Sequence, residues 1–244
     1  MDIAAERLKR KREIALGYRI FASLRWGDLG DGHITASDPE LTDHIWLLKY
    51  PYGFENATID DLVLVGPDGR VVEGGPAGGP AGDEINTTAY YIHHPIHEAR
   101  KDIVGVAHTH TAWGTPFAAT GRPIVPITQE ACSFHERWAM FDDEEVQVLG
   151  RSTGVRIAES LGDSTVAILR NHGLISTGPS VGEAISAFVT LERVTEALMK
   201  APDAAPISDA AAIEARNDLA EMRAFSVAFD FLVSRHVGDP SVVG

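Results

Sequence analysis

The chain has 244 residues, 44% of them hydrophobic and 23% charged, and a formal net charge of −14 at pH 7. The length and the ordinary composition fit one large globular domain with a sizeable core. The acidic balance argues against clustered Lys and Arg side chains, which phosphate binding needs, so we expect no nucleic-acid partner.

The first residues predict neither a secretion signal nor a membrane anchor. The start, Met1-Asp2-Ile3-Ala4-Ala5-Glu6, is followed by basic residues and lacks an apolar signal core. No run of about 18 apolar residues occurs in the sequence. The single cysteine, Cys132, allows no internal disulfide and fits a reducing compartment. We therefore expect a cytoplasmic protein with no membrane partner.

Periodicity and turn residues in the first third of the chain predict one helix, short strands and tight turns. The turn Gly66-Pro67-Asp68-Gly69 separates two apolar strands and predicts a hairpin. In chain order, the predicted elements are a helix at 4–24, a glycine-rich turn at 27–32, strands at 44–48 and 62–65, and a surface loop at 74–82.

The rest of the chain alternates helices and strands, which predicts an α/β sheet with helices on its faces. The first of these helices has Asn86, Thr87 or Thr88 as its cap. The predicted helices are 86–101, 111–120, 152–161, 180–200 and 209–233; the predicted strands are 103–110, 123–127, 145–149, 165–170 and 173–177. We expect a single domain over 1–244, with a helical extension from about residue 207.

Three histidines stand at the ends of predicted buried strands. His108 and His110 end one apolar run, and His172 ends another. Residues i and i+2 of a strand project from the same face, so His108 and His110 can bind one ion. The alternative is that each is a buried turn residue with one hydrogen bond. Three neutral imidazoles suit zinc first, and also manganese or iron, and leave a coordination position open for chemistry.

The segments around these histidines resemble the class II aldolase/adducin family. They read Val104-Gly105-Val106-Ala107-His108-Thr109-His110 and Leu169-Arg170-Asn171-His172-Gly173-Leu174, and Gly32-His33-Ile34-Thr35 and Glu192-Arg193 add to the resemblance. It implies a three-layer α/β/α sandwich with a central mixed or antiparallel sheet, and metal ligation by His108, His110 and His172. It further implies a homotetramer with the active site between subunits, and a small-molecule substrate whose enolate-like charge the metal stabilises.

Two departures separate this chain from the sugar-phosphate aldolases of that family. Those enzymes carry an acidic residue 19 positions before the first metal histidine, where this chain has Ala89. Their phosphate loop reads Gly-Asn-x-Ser, whereas this chain has Gly32-His33-Ile34-Thr35. Aldol cleavage needs a base, but decarboxylation needs only an acid afterwards. We expect a carbon–carbon lyase, a decarboxylase or an aldolase, for a non-phosphorylated hydroxy- or oxo-acid, with aromatic acids among the candidates.

Further site residues follow from the resemblance and from side-chain chemistry. His33 is a candidate acid/base, and the alternative is a hydrogen bond to the turn backbone. Glu136 is a second catalytic candidate. The predicted substrate-binding residues are Thr87, Thr88 and Gln129. His93 and His97 share one helix face; we expect an exposed or interface-lining pair, with a second metal site as the alternative.

Two other functions compete with the lyase. Three histidines with open positions can hold Fe(II), so a non-haem iron oxygenase is one alternative, although such sites usually contain a carboxylate ligand. A non-catalytic interaction module, as in adducin, is the other. Metal identity separates the three: zinc or manganese favours the lyase, iron the oxygenase, and no metal the module.

Overall fold

The computed structural model describes residues 2–74, 85–143 and 145–244. The helices are α1 (Ile3–Ser23), α2 (Thr87–Ala99), α3 (Gly114–Thr120), α4 (Gln129–Cys132), α5 (Arg151–Leu161), α6 (Val181–Lys200), α7 (Asp209–Glu221) and α8 (Ala224–His236). The strands are β1 (Gly32–Ser37), β2 (Ile45–Leu48), β3 (Leu62–Val65), β4 (Val71–Glu73), β5 (Gly105–Thr109), β6 (Trp138–Phe141), β7 (Val166–Leu169) and β8 (Gly173–Gly178). No helix among the described residues is long and apolar enough to span a membrane.

The strands form one mixed sheet in the order β4-β3-β2-β1-β5-β8-β7-β6. Every neighbouring pair is antiparallel except β6 and β7, which run parallel. Three segments therefore meet at one edge of the sheet, where the strands end: the last residues of β5, the first residues of β1 and the turn between β7 and β8. His33 on β1 lies directly opposite His108 on β5 in this register.

Alternating side chains of the strands pack into two helical layers, as the period of two in a strand requires. Ile34, Ala107 and Ile168 face the layer that contains α1 and α6. Val106, Ala167 and Ile175 face the layer of α2 and α5. The result is the predicted three-layer α/β/α sandwich, with the sheet buried on both faces. Strands buried in this way read as continuous apolar runs rather than as alternating ones.

Two predicted strands are wrong. Residues 123–127 run irregularly, because Pro123 and Pro126 have no backbone N–H to donate to a sheet. Residues 145–149 also form no strand, and Val146 and Leu149 are exposed. The strand at this side of the sheet is β6 instead. It has only four residues, all apolar, and periodicity cannot distinguish so short an apolar run from a loop or a helical turn.

The predicted helix at 209–233 is two helices. Arg223 has φ of 52°, in the left-handed region, and this residue separates α7 from α8. Neither Gly nor Pro occurs at this break, so the sequence contains no helix-breaking residue that predicts it. Phe229 of α8 joins the same apolar cluster as α1 and α6, and its ring lies where a side chain at Gly182 would sit. The single-domain organisation, with α7 and α8 as its extension, stays a prediction. Most of the predicted loop at 74–82 lies outside the described residues.

We predict that Arg223→Gly raises the thermal midpoint of unfolding. A left-handed conformation costs an L-residue roughly 1–2 kcal/mol and glycine almost nothing, which outweighs the extra entropy of a glycine in the unfolded chain. Arg235→Gly, at an exposed helical position of α8, is the matched control and should instead destabilise by about 0.5–1 kcal/mol. Calorimetry of both variants measures the two signs, and a lower midpoint for Arg223→Gly would contradict the assigned backbone conformation.

Candidate metal centre

The structure brings His108, His110 and His172 together at one edge of the sheet. Each offers a ring nitrogen, and the three nitrogens lie within 4.8 Å of one another. The ring centres are 5.4 Å apart for His108 and His110, 5.0 Å for His108 and His172, and 5.1 Å for His110 and His172. All three pairs of rings are close to perpendicular, with interplanar angles of 85°, 74° and 84°.

The convergence of three neutral imidazoles suits a divalent ion such as zinc. Catalytic zinc sites commonly use three protein ligands and leave a further coordination position open.

The surroundings orient the rings for ligation. His108 Nδ1 lies 2.7 Å from the carbonyl oxygen of Leu174; because a carbonyl only accepts, Nδ1 carries the proton and Nε2 is bare. His110 Nδ1 lies 3.3 Å from a carboxylate oxygen of Asp31. Such partners of the second ring nitrogen fix the tautomer and raise the basicity of a metal-binding histidine.

Burial keeps two of these histidines, His108 and His172, unprotonated. It lowers the pKa of His172 to about 4, with a further decrease from neighbouring His110. The pKa of His108 is lowered well below the usual 6.5, first by burial and then by the adjacent histidines. Both rings are therefore neutral at physiological pH, which is the state that binds a metal ion.

Glu192 of α6 anchors the loop that follows His110. Its carboxylate accepts hydrogen bonds from the Thr111 hydroxyl at 2.5 Å, the Trp113 amide at 2.9 Å and the Gly114 amide at 2.7 Å. Glu192 is 6% exposed, so these bonds are shielded from water. The amides belong to the start of α3, whose N-terminal donors need such an acceptor. Glu192 thus ties the His110 loop to the helical layer.

His33 lies beside these three histidines, but it is not one of the residues whose ring nitrogens lie within 4.8 Å of one another. Its ring centre is 4.7 Å from that of His108. Its Nδ1 contacts His93 Nε2 at 2.8 Å, so the predicted alternative, a hydrogen bond to the turn backbone, is not what the structure shows. Burial lowers its pKa well below 6.5, and the positive charges that nearby histidines would carry lower it further.

A cleft of about 330 Å³ opens next to His33 at the same edge of the sheet. Its described lining is mostly apolar or aromatic. The residues are Tyr18, Leu29, Gly30, Gly32, His33, Leu47, Leu48, Lys49, Tyr50, Pro51, Tyr52, Gly53, Phe54, Asn86 and Ala89. Lys49, the one charged residue of this described lining, pairs with Asp61 at 2.5 Å. Pockets of this kind take a ligand with an apolar body and a few polar atoms.

The predicted substrate residues lie at varying distances from this cleft. Thr87 and Thr88 begin α2, but Asn86 and Ala89 line the cleft in their place. Asn86 caps the helix, because its Oδ1 accepts from the Thr88 and Ala89 amides, and the Thr88 hydroxyl donates to the same oxygen at 2.6 Å. Gln129 begins α4 and is absent from the described lining of the cleft.

Glu136 lies at the opposite edge of the sheet. It precedes β6, which runs parallel to β7 and starts beside Val166, whereas His172 follows the end of β7. Its carboxylate pairs with Arg216 at 3.0 Å. The structure therefore does not bring Glu136 to the histidines of the same chain, and chain-order counting could not reveal this, because it ignores strand direction.

His93 and His97 are not the exposed pair that helical spacing suggested. They are 0% and 3% exposed, and both contact the Thr35 hydroxyl at 2.8 Å. Their shared face turns towards the sheet rather than towards solvent. The sequence did not predict that Asp31 contacts His110 or that Glu192 holds the loop after His110. Asp31 could have been suspected only from its place next to Gly32-His33, and Glu192 only from the Glu192-Arg193 pair.

The sequence profile described as "Class II Aldolase and Adducin N-terminal domain" matches residues 12–199. The chain belongs to this family. Decarboxylase NovR from Streptomyces niveus is 37% identical over 187 residues, which cover 76% of this chain and 66% of the relative. A 4-hydroxy-3-prenylphenylpyruvate oxygenase/4-hydroxy-3-prenylbenzoate synthase from Streptomyces roseochromogenus subsp. oscitans is 36% identical over 186 residues, 76% of this chain and 64% of the relative. The chain thus spans less than two thirds of the length of either relative.

A solved structure of the same family shares the fold. The aldolase II superfamily protein from Pseudomonas syringae superposes with a TM-score of 0.81 at 28% identity, covering 96% of this chain and 95% of that one. The class II aldolase fold predicted from the sequence is confirmed.

We predict that Glu192→Gln destabilises the protein and weakens metal binding. Hydrogen bonds to a buried charged acceptor contribute about 1.5–3 kcal/mol, and an amide cannot accept all of them without presenting its own N–H groups to donors. Urea unfolding and zinc titration of the variant measure both effects. Glu196→Gln, one turn later and paired only with Lys200 at the surface, is the control. Equal zinc affinity for the Glu192 variant and the wild type would remove Glu192 from the support of the centre.

We also predict that the metal-free protein loses stability as the pH falls below about 6.5. Burial lowers the pKa of His97 to about 3 and the pKa of His93 well below 6.5. The unfolded chain therefore binds more protons than the folded chain between about pH 6.5 and 3. As the pH falls through that window, each such histidine lowers the unfolding free energy by up to about 1.4 kcal/mol per pH unit. Urea unfolding of EDTA-treated protein from pH 7.5 to 5 tests this. His97→Gln should have a shallower dependence; identical slopes would refute the burial of a neutral His97.

Proposed function

We propose that this protein is a divalent-metal-dependent carbon–carbon lyase. In this proposal His108, His110 and His172 hold the ion, with zinc expected first and manganese or iron as alternatives. The substrate is a hydroxy- or oxo-acid without a phosphate group and with an aromatic ring. The observation that carries the proposal is that the ring nitrogens of three histidines lie within 4.8 Å of one another, next to His33 of the aromatic-lined cleft.

In this proposal the three histidines bind the metal ion and the cleft binds the substrate. A divalent ion held by the three rings would act as a Lewis acid for negative charge that develops on substrate oxygens as the carbon–carbon bond breaks. His33 lines the cleft and is the residue placed to move a proton at its Nε2 atom, since its Nδ1 is engaged by His93. The aromatic and apolar walls exclude water from the reacting group.

The lining favours an aromatic acid over a sugar phosphate. Tyr18, Tyr50, Tyr52 and Phe54 supply flat apolar surface to the cleft. Phosphate binding draws on free cations or several backbone donors, but Lys49 is already paired with Asp61. The carboxylate of an acid substrate needs fewer partners than a phosphate dianion, and a free metal position can supply one.

The chemistry of the described lining favours decarboxylation over aldol cleavage. An aldol cleavage needs a base for the substrate hydroxyl; neither Asp nor Glu occurs among the described residues that line the cleft, and burial makes His33 a weak base by lowering its pKa. Ala89 lies there at the position where the sugar-phosphate aldolases carry their acidic residue. Loss of carbon dioxide needs no such base, only a proton donor afterwards.

A non-haem iron oxygenase is the second candidate. The relative named 4-hydroxy-3-prenylphenylpyruvate oxygenase is almost as similar to this chain as the decarboxylase. Iron in the purified protein, together with oxygen consumption, would favour it. The oxygenase and the lyase share the aromatic acid and the three-histidine centre, so the two functions differ in the metal and in the co-substrate.

The homotetramer and the cytoplasmic location stay predictions. Light scattering of the purified protein measures the assembly directly, with a mass of four 26.3 kDa chains expected.

We predict that His110→Ala abolishes stoichiometric metal binding and most activity while the fold survives. Removal of one of three ligands leaves two, and a core of this size does not depend on a metal to fold. Elemental analysis and circular dichroism test the two parts. His44→Ala is the control, because His44 lies near the opposite edge of the sheet and pairs with Asp43. Unchanged metal content in the His110 variant would refute the ligand assignment.

We further predict selectivity within a substrate panel. Aromatic 2-oxo and 2-hydroxy acids should release carbon dioxide at rates at least tenfold above matched aliphatic acids, because only the former fill the tyrosine-lined walls. Sugar phosphates should be inert. Carbon dioxide release and aldehyde formation, measured under nitrogen, report the lyase; turnover that appears only in air would favour the oxygenase. Preferred cleavage of a sugar phosphate would overturn the proposed substrate class.

A further inference from the structure

We propose that Arg25 is a substrate-binding residue, whose guanidinium group receives the carboxylate of the acid that reacts at the metal centre. This inference deepens the proposed function and rests on it for the identity of the ligand. An acid substrate needs a cation that the cleft beside His33 does not offer, because Lys49, the one charged residue of its described lining, is paired with Asp61.

A second hollow, of about 460 Å³, opens beside the metal centre. His110 forms part of its wall, and Arg25 and Trp26, which follow the end of α1, form another part. The loop at 27–31 connects this hollow with the cleft, because Gly30 of the loop lines the cleft. A molecule bound in the hollow therefore contacts a proposed metal ligand and Arg25 together.

The guanidinium group of Arg25 is free to bind an anion. Arg25 is exposed, and its side chain forms neither a hydrogen bond nor an ion pair with any residue that the structure describes. Other polar groups of the hollow are already engaged: the Thr111 amide donates to Thr115 Oγ1 at 3.0 Å, and the Thr111 hydroxyl donates to Glu192 at 2.5 Å. A guanidinium group offers a planar fork of N–H donors, which matches the two oxygens of a carboxylate.

The backbone at Arg25 gives independent support. Its φ is 62°, in the left-handed region, and it occupies the position after a helix where glycine is the usual residue. The Arg25 amide donates to the Ala22 carbonyl and the Trp26 amide to the Phe21 carbonyl, both at 2.9 Å. Glycine would form the same turn without the steric cost of a side chain. Arg223 shares the conformation, so it is the place of Arg25 beside His110 that gives this strain a functional meaning.

Trp26 gives the hollow an aromatic wall next to the arginine. Its ring makes edge contacts with Phe21 and Phe188, with ring centres 5.4 Å and 5.8 Å apart. The apolar core therefore fixes the orientation of this ring before any ligand binds. A flat apolar wall beside a free guanidinium group suits a ligand with an aromatic body and one carboxylate.

Calorimetric titration of the full chain with phenylacetate tests the inference without turnover, because this acid has no oxo or hydroxy group. We expect zinc-loaded and EDTA-treated protein to bind it, and to bind the neutral phenylacetamide roughly tenfold more weakly or less. Arg25→Gly should bind phenylacetate about tenfold more weakly than the wild type does, with its affinity for the amide unchanged. No measurable binding to the wild type, equal affinities in both proteins, or binding that EDTA treatment abolishes would overturn the inference.

Two matched variants separate recognition from backbone strain. Arg25→Gly and Arg223→Gly each replace a left-handed arginine that follows a helix, so each should raise the thermal midpoint of unfolding by up to about 4 °C. Arg223→Gly should leave phenylacetate binding unchanged, because the Arg223 guanidinium group bonds to Ser226 of the following helix. Arg25→Lys keeps the charge and should recover part of the lost affinity. A lower midpoint for Arg25→Gly, or binding by Arg25→Lys as weak as that of Arg25→Gly, would contradict the proposed role.

The outcome is distinguishable from failure of the lyase proposal. Binding of phenylacetate breaks no bond, so an inactive substrate panel leaves the Arg25 measurement valid. If turnover of an aromatic acid is found, Arg25→Gly should raise KM roughly tenfold, with the metal content unchanged. A lower kcat with an unchanged KM, or loss of metal from this variant, would contradict a role of Arg25 in binding the carboxylate.

Discussion

The pairing of β5 with β1 on one side and with β8 on the other is the constraint on which the site depends. One register places His33 opposite His108 and brings Thr109 beside Leu174, whose carbonyl orients His108. A slip by one residue would turn His108 to the other face of the sheet. The register also depends on close packing: a side chain at Gly105 would meet the backbone of Val181 at 2.5 Å, so glycine there lets α6 approach the sheet.

Burial links the stability of this edge to its chemistry. The layer between β1, β5 and α2 contains four histidines that are neutral because they are buried. Neutral imidazoles are the form that binds a metal ion. The same desolvation that lowers the unfolding free energy in acid therefore keeps these imidazole nitrogens unprotonated. Glu192 adds rigidity from the opposite layer, through the loop that follows His110.

Local patterns predicted the fold, and the structure brings together His108, His110 and His172, which stand at the ends of short apolar runs; their role as ligands stays a prediction. The errors arose where tertiary contacts decide. Pro123 and Pro126 blocked a strand that apolar content suggested, and Arg223 breaks a helix without a punctuating residue. Glu136 lies away from the histidines of its own chain because β6 runs parallel to β7, a direction that sequence distance does not reveal. The burial of His93 and His97 was missed because a helix face alone does not say what it packs against; here it packs against the sheet, where both residues contact Thr35.

The most direct test of the account is an anomalous-diffraction measurement on crystals of the wild-type protein at the zinc, iron and manganese absorption edges. We predict one strong peak per chain, equidistant from the Nε2 atoms of His108 and His110 and from a ring nitrogen of His172, about 2.0–2.1 Å from each for zinc. A peak bound elsewhere, or full loading with metal in solution and no peak among these three rings, would contradict the central claim.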